Sequence, residues 1–198
     1  MPRGSPPDDV RENPSLSRRE YVCSIGVIGG FHGSSVLSDS VPATSTDVPA
    51  RLLAVSVTHE WTTVEITESF SDPVVIAGPL SYNGYHRSHP RLRRVSNAEF
   101  NVAVEEWTYL AGGHVEERTT CLVTDHGPYT LEDGTELLAG KVTTDDEWTS
   151  VSFSASLATD PVVFSDIQTY NDSRPAVVRQ QDVSKSGFSV RLQGSERR

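Results

Sequence analysis

Most of the stretch from Trp61 to Trp107 occurs twice in this chain, and that repeat constrains the fold more than any other feature. The first copy reads EWTTVEITESFSDPVVIAGPLSYNG and continues through RRVSNAEFNVAVEEW; the second reads EWTSVSFSASLATDPVVFSDIQTYND and continues through QDVSKSGFSVRLQ. Trp61 and Trp148 are 87 residues apart, while Pro73 and Pro161, Tyr82 and Tyr170, Val95 and Val183, and Phe100 and Phe188 are each 88 apart. One inserted residue in the turn before the Asp-Pro dipeptide accounts for the change of offset. Landmarks kept in step over about 45 residues describe a unit that folds the same way twice.

The local pattern of that unit is β. Residues 62–67 alternate and are rich in β-branched side chains, which reads as a strand. Ser71-Asp72-Pro73 is turn chemistry, and the apolar run Val74-Val75-Ile76-Ala77 reads as a strand inside a sandwich. Residues 91–95 and 100–105 alternate around a short turn at Ser96-Asn97-Ala98-Glu99, and residues 115–124 supply a last strand. No window carries a sustained helical period. Short strands broken by turns every 8–12 residues or so predict an all-β antiparallel sandwich. The second copy stops near Gln193, without the strand that follows Trp107 in the first. It is read as partial, either because the chain is a fragment, the preferred alternative, or because the strand comes from elsewhere. A missing strand leaves an open edge that invites pairing.

The first 43 residues read as a leader. Residues 1–17 are rich in Pro, Ser and charge, a disordered composition. Ser17-Arg18-Arg19-Glu20-Tyr21-Val22 resembles the twin-arginine export motif, and residues 22–31 follow as a short, glycine-rich apolar core. Val41-Pro42-Ala43 offers small residues for a signal peptidase, so the mature chain is expected to start near Thr44 and to be extracellular. A tail with a chance arginine pair is the plainer alternative. The resulting division is a leader over 1–43, a first sandwich unit over 44–139 and a second, incomplete one over 140–198.

A net charge of −10 argues against nucleic acid as a partner, since phosphate binding needs clustered basic residues. No apolar run reaches the ~18–20 residues of a membrane span. Lys141 and Lys185 are the only lysines. An acidic, lysine-poor chain suits high salt, where surface charge is screened; a GC-rich genome gives the same bias. Cys121 sits in a strand-like run and is expected to be a small buried apolar residue, not a ligand.

The order of a β-branched strand ending in Phe, then PVV, then a V-S-x-x-x-F hairpin and an aromatic strand is similar to the H-type lectin domain. In the first copy Phe70, Pro73, Val74, Val75, Val95, Phe100 and Trp107 carry the pattern; in the second, Pro161, Val162, Val163, Val183, Gly187 and Phe188 carry it. The resemblance covers about two-thirds of the chain and also extends to tandem modules of secreted bacterial and haloarchaeal surface proteins. It implies a six-stranded antiparallel sandwich, commonly trimeric, that binds N-acetylgalactosamine or galactose through loops at one end. The matched residues are core and turn positions, so they speak for the fold more than for the ligand.

Sugars are held by an aromatic face for C–H surfaces and by planar side chains for hydroxyls. Trp107, Tyr109 and His114 fall together at a strand-to-loop transition with Gly112-Gly113 between them. Tyr82, Asn83 and Tyr85 form a second loop cluster. These six are the candidate glycan contacts, weighed against the plainer reading that Trp107 plugs the core and the tyrosines cover its rim. Trp61 and Trp148 recur at the repeat period and are read as structural.

His86 and His89, with His114 or His126, have a spacing that could serve a metal, but no cysteine or second histidine pair accompanies them, so no metal or cofactor is assigned. Asp145-Asp146-Glu147 and Glu116-Glu117 are read as solvated acidic faces. Asn171-Asp172-Ser173 fits an N-glycosylation sequon. No nucleophile elbow or phosphate loop is present, so no catalytic residue is assigned. The expectation is a secreted, non-enzymatic, lectin-like module; the alternative is an adhesion module that binds proteins or self-associates through an open sheet edge.

Overall fold

A computed structural model describes residues 21–29, 50–110, 112–131, 134–154 and 156–194. Among the described residues there are thirteen strands and no helix, and every strand pairing is antiparallel. The all-β sandwich expected from the alternation is the observed fold. The residues of the expected twin-arginine pair, Arg18 and Arg19, and the expected cleavage point before Thr44 lie outside the described residues.

Strand β1 (Tyr21–Gly29) comes first in the chain but belongs to the second unit. The first unit holds six strands: β2 (Ala50–Val57), β3 (Thr62–Glu65), β4 (Pro73–Ala77), β5 (Ser88–Arg93), β6 (Glu99–Glu106) and β7 (Glu117–Asp125). They form two three-stranded sheets, β2-β7-β4 and β3-β6-β5. Alternation along β7 buries Glu117, Thr119, Cys121 and Val123 on one face, as the two-residue period of a strand requires. Between the sheets lie Val57, Ile66, Phe70, Val75, Leu92, Phe100, Val102, Val104, Cys121 and Val123. The Cys121 thiol is fully buried and pushed up to about 12 by that burial, with the nearby Asp166 charge adding to it. It behaves as the small apolar residue expected of it.

The second unit runs through β8 (Gly127–Thr130), β9 (Glu136–Thr144), β10 (Thr149–Ser152), β11 (Val162–Ile167), β12 (Ala176–Ser184) and β13 (Gly187–Gly194). Its sheets are β10-β13-β12 and β11-β1-β9-β8. Strand β8 lies in a stretch read from sequence as connection only; its Pro128 is tolerated because β8 is an edge strand. Leu157, Val163, Phe188 and Val190 form one core cluster, and Ile167, Ala176 and Leu192 a second. Phe100 and Phe188, Val75 and Val163, and Val102 and Val190 are repeat partners buried in their respective cores. Even a rare backbone state recurs: Arg94 (φ 52°) and Asp182 (φ 54°), again 88 residues apart, both sit in the left-handed region, which costs a non-glycine residue roughly 1 kcal/mol or more.

The place that β7 fills in the first unit is filled in the second by β1. Val123 of β7 lies opposite Arg51 and Val75; Val27 of β1 lies opposite Leu138 and Val163, their repeat partners. Register is therefore kept as well as strand order. The open edge expected of the second copy is occupied, and its missing strand comes from the N-terminal side of the same chain. In the sequence this strand falls within the expected leader, Tyr21 in the twin-arginine-like motif and residues 22–29 in its apolar core.

The two units meet where β4 faces β11. The outward amides of edge strand β4 are capped by side chains: Val75 N donates to Gln168 Oε1 at 2.6 Å and Ala77 N to Asp166 Oδ2 at 3.0 Å. Arg91, 1 % exposed, donates from a guanidinium nitrogen to the Thr169 carbonyl at 3.1 Å. Lys141 pairs with Asp72 across the same seam. Capping of this kind blocks pairing of β4 with another chain.

Candidate functional site

Strand β6 ends in Glu105-Glu106, and consecutive strand residues point to opposite sides. Glu105 meets His89, its cross-strand partner in β5, with Nε2 to Oε2 at 3.0 Å, and its other oxygen lies 3.9 Å from Arg91 Nε. Glu106 turns to a different group, where its Oε1 is 3.0 Å from His86 Nδ1 and 2.5 Å from His114 Nδ1. The chain then leaves the sheet at Trp107, crosses Gly112-Gly113 and re-enters as β7 at Glu117.

Glu117 anchors this loop. It is 1 % exposed. Its carboxylate accepts hydrogen bonds from Ser81 Oγ at 2.5 Å, Asn83 N at 3.0 Å and Gly84 N at 2.6 Å, and its Oε1 is 3.1 Å from His114 Nε2. Burial alone pushes the carboxyl upward, but these donors outweigh it and hold the group at about 2. The expectation of a solvated acidic face thus fails at Glu117, although Glu116 is exposed. Burial lowers the affinity of His114 for a proton, yet hydrogen bonds from its ring to Glu106 and Glu117 raise it above the ordinary value. Gly84 is required here: a Cβ on it would stand 2.7 Å from the His114 ring.

Beside this network a cleft of about 280 Å³ opens between the two units. His59, Trp61, Arg91, Glu105, Trp107 and Tyr170 contribute its aromatic and charged lining. Trp61 meets Tyr170 edge-on at 5.2 Å between ring centres and lies under the Arg93 guanidinium at 4.0 Å. Arg91 lies 5.5 Å over the Tyr170 ring. Trp107 packs against His89 at 5.4 Å. Rings from both units and a run of hydrogen-bonding groups thus line one polar cleft.

The six candidate contacts do not share one place. Trp107 lines the cleft, half-buried, and is not part of the core clusters. Tyr109 is exposed and does not line the cleft; Tyr82 and Tyr85 are 84 % and 81 % exposed on the neighbouring loop. Asn83 donates its side-chain amide to the Glu116 carbonyl at 2.9 Å. His114 is buried between two carboxylates and works inside the loop, not on its surface. Sequence reasoning missed Arg91, Glu105, Glu106, Glu117 and Tyr170, and read Trp61 as structural only. Trp61 and Tyr170 were visible as repeat landmarks, but their meeting across copies was not. Trp148, the partner of Trp61, is 42 % exposed and packs with Arg191 at 4.8 Å.

Of the four histidines weighed for a metal, the structure brings two together: His86 and His114 converge on Glu106, their donor atoms all within 4.8 Å of one another. His89 belongs to Glu105, and His126 lies apart, lining a pocket with Lys141 and Phe153. Asn171 of the sequon is exposed, and Ser173 lies on the cleft.

In comparison with known proteins, the chain is similar to a segment of halomucin from Haloquadratum walsbyi, 32% identical over 149 residues. The match covers 70% of this chain and 2% of halomucin. No protein family matches the chain, so the resemblance to the H-type lectin domain rests on the residues quoted for it. No solved structure matches it either.

Proposed function

We propose that this chain is an extracellular, non-enzymatic module of a halophile surface protein that binds glycan in the cleft between its two units. The observation that carries the reading is the meeting of Trp61, Trp107 and Tyr170 with Arg91, Glu105 and His59 around one cleft. Aromatic faces cover the apolar side of a sugar ring, while guanidinium and carboxylate groups pair with its hydroxyls. Its volume falls near the lower end of small-ligand sites, roughly 300–1,000 Å³, which suits a short glycan. The likeness to a halomucin segment, the charge of −10 and the two lysines support a high-salt surface setting.

The test is a glycan-array screen in high salt, followed by titration of the best hit. Trp107→Ala and Tyr170→Ala should each weaken binding at least tenfold, roughly 1.4 kcal/mol, with an unchanged melting temperature. Full affinity in both variants would remove the cleft from consideration. A second reading, self-association, is favoured by Val162 and Phe164, which are 58 % and 47 % exposed on edge strand β11. It predicts concentration-dependent sedimentation that sugars leave unchanged and that Phe164→Ser abolishes.

A further inference from the structure

The geometry points to a zinc-type divalent metal site at the loop end of the first unit, with His86 Nδ1, His114 Nδ1 and Glu106 Oε1 as protein ligands and a fourth position open on the His86 side. The three donor atoms lie within 4.8 Å of one another, two of the separations being 3.0 and 2.5 Å. Metal bonds of 2.0–2.1 Å in a tetrahedron place neighbouring donors roughly 3.3 Å apart. Small rotations of the two rings and the carboxylate therefore suffice to receive the ion.

The surroundings fix which atoms face the ion. His114 Nε2 is taken by Glu117 Oε1 at 3.1 Å, so Nδ1 is the nitrogen turned to Glu106. Glu117 is in turn held by Ser81 Oγ and the amides of Asn83 and Gly84. A carboxylate on the far nitrogen of a ligating imidazole orients the ring and raises its basicity. The donor set is imidazole and carboxylate, which suits zinc and its first-row neighbours; calcium and magnesium prefer all-oxygen shells. Access is graded: the His86 side chain is 24 % exposed, Glu106 10 % and His114 2 %. The edge of the site at His86, beside the ring of Tyr85, is where water or a ligand reaches the fourth position.

Without metal, Glu106 holds the two rings by hydrogen bonds. Imidazole ligates a metal only through an unprotonated nitrogen, so the ion competes with protons for this site and its uptake weakens as pH falls. This inference does not rest on glycan binding. Metal and sugar are read by separate experiments.

The full chain, stripped with a chelator and dialysed, would be titrated with zinc alone by calorimetry, and with cobalt to record the visible band of a tetrahedral ion. One ion per chain is expected, with His86→Ala and Glu106→Gln each weakening binding at least tenfold and bleaching the cobalt band. His126→Ala, remote from the cluster, should bind like the parent. His86 is the most exposed ligand, so its variant is expected to fold; circular dichroism and the melting temperature check this, and Glu106→Gln, close in shape to the parent side chain, gives an independent answer. Absence of zinc binding by the parent, or parent-like affinity in both ligand variants, overturns the assignment.

Discussion

The two units have the same strand plan but close it differently. In the first, β6 and β7 follow one another in the chain, and the loop between them carries Trp107 and His114. In the second, the corresponding strands are β13 and β1, from opposite ends of the described chain, so no such loop joins them in sequence. Register places Tyr21 at the position of Glu117 and Val27 at that of Val123. Among its described residues the second unit thus keeps the sandwich, with Tyr21 where the first has its buried carboxylate and no loop joining β13 to β1. A sheet position is specified by the strands on either side of it, not by chain order, whereas a loop site needs an unbroken connection. That is why the cleft and the His86–Glu106–His114 group belong to the first unit's end, with the second lending Tyr170 as a wall.

The sharpest way to break this comparison is to remove β1. A chain starting at Thr44 leaves β9 and β11 without the strand that pairs with both. Two edges with unpaired backbone and an uncovered core should unfold the second unit or drive it to associate. The first unit, complete without β1, should keep its own protection. Hydrogen exchange read by mass spectrometry separates the outcomes: protection lost over residues 136–194 and kept over 50–125 is expected, and equal protection throughout would refute the role of β1. The same experiment bears on export, because a chain processed after Ala43 is this truncated chain. The N-terminal mass of the secreted protein shows which form exists.

Next in size is a matched pair of core truncations. Phe100 is fully buried and Phe188 is 3 % exposed at the equivalent place. Each Phe→Ala change should cost about 3–5 kcal/mol, the first in the β2–β7 unit and the second in the other. Exchange profiles that respond in both units to either change would show that the seam makes them one cooperative body.

A smaller effect distinguishes the hairpins. Gly187 has φ 157°, and a Cβ on it would fall 2.1 Å from the Val151 carbonyl oxygen. Its repeat partner is Glu99, so the first hairpin tolerates a side chain there. Gly187→Ala should destabilise the second unit by about 1–3 kcal/mol, and Glu99→Ala should leave the first within roughly 0.5 kcal/mol. Denaturant midpoints check both.

What was legible in the sequence follows the range of the physics involved. Alternation and turn chemistry are local, so β3, β4, β6 and β7 were readable from residues 62–67, 74–77, 100–105 and 115–124. The placement of Tyr21–Gly29 was not, because its partners lie more than a hundred residues away and its glycines suit a signal core equally well. Trp107 was found as an aromatic beside a glycine loop. The burial of Glu117 was hidden because its donors come from the loop around Ser81, Asn83 and Gly84. Periodicity made Trp61 look structural, when its position against Tyr170 is a contact between copies.

The smallest prediction concerns the seam that lets one unit furnish a wall for the other. Asp166 stands there with Ala77 N and Ile167 N on its two carboxyl oxygens. Burial pushes its carboxyl up to about 6, against the downward pull of those amides and of Arg91 and His89. The Cys121 thiol also feels the Asp166 charge. In the unfolded chain the group titrates near 3.9, so between about pH 4 and pH 6 the folded protein holds a proton that the unfolded chain has lost. This contribution to stability is full below pH 4, declines as pH rises through 6 and is flat above that. Asp166→Asn keeps a neutral side chain at every pH and should flatten the profile over that window. Relative to the parent, its melting temperature should gain a few degrees or so between pH 4 and pH 7. An unchanged difference between the two proteins across the window would mean that the seam holds Asp166 as an ordinary surface carboxylate.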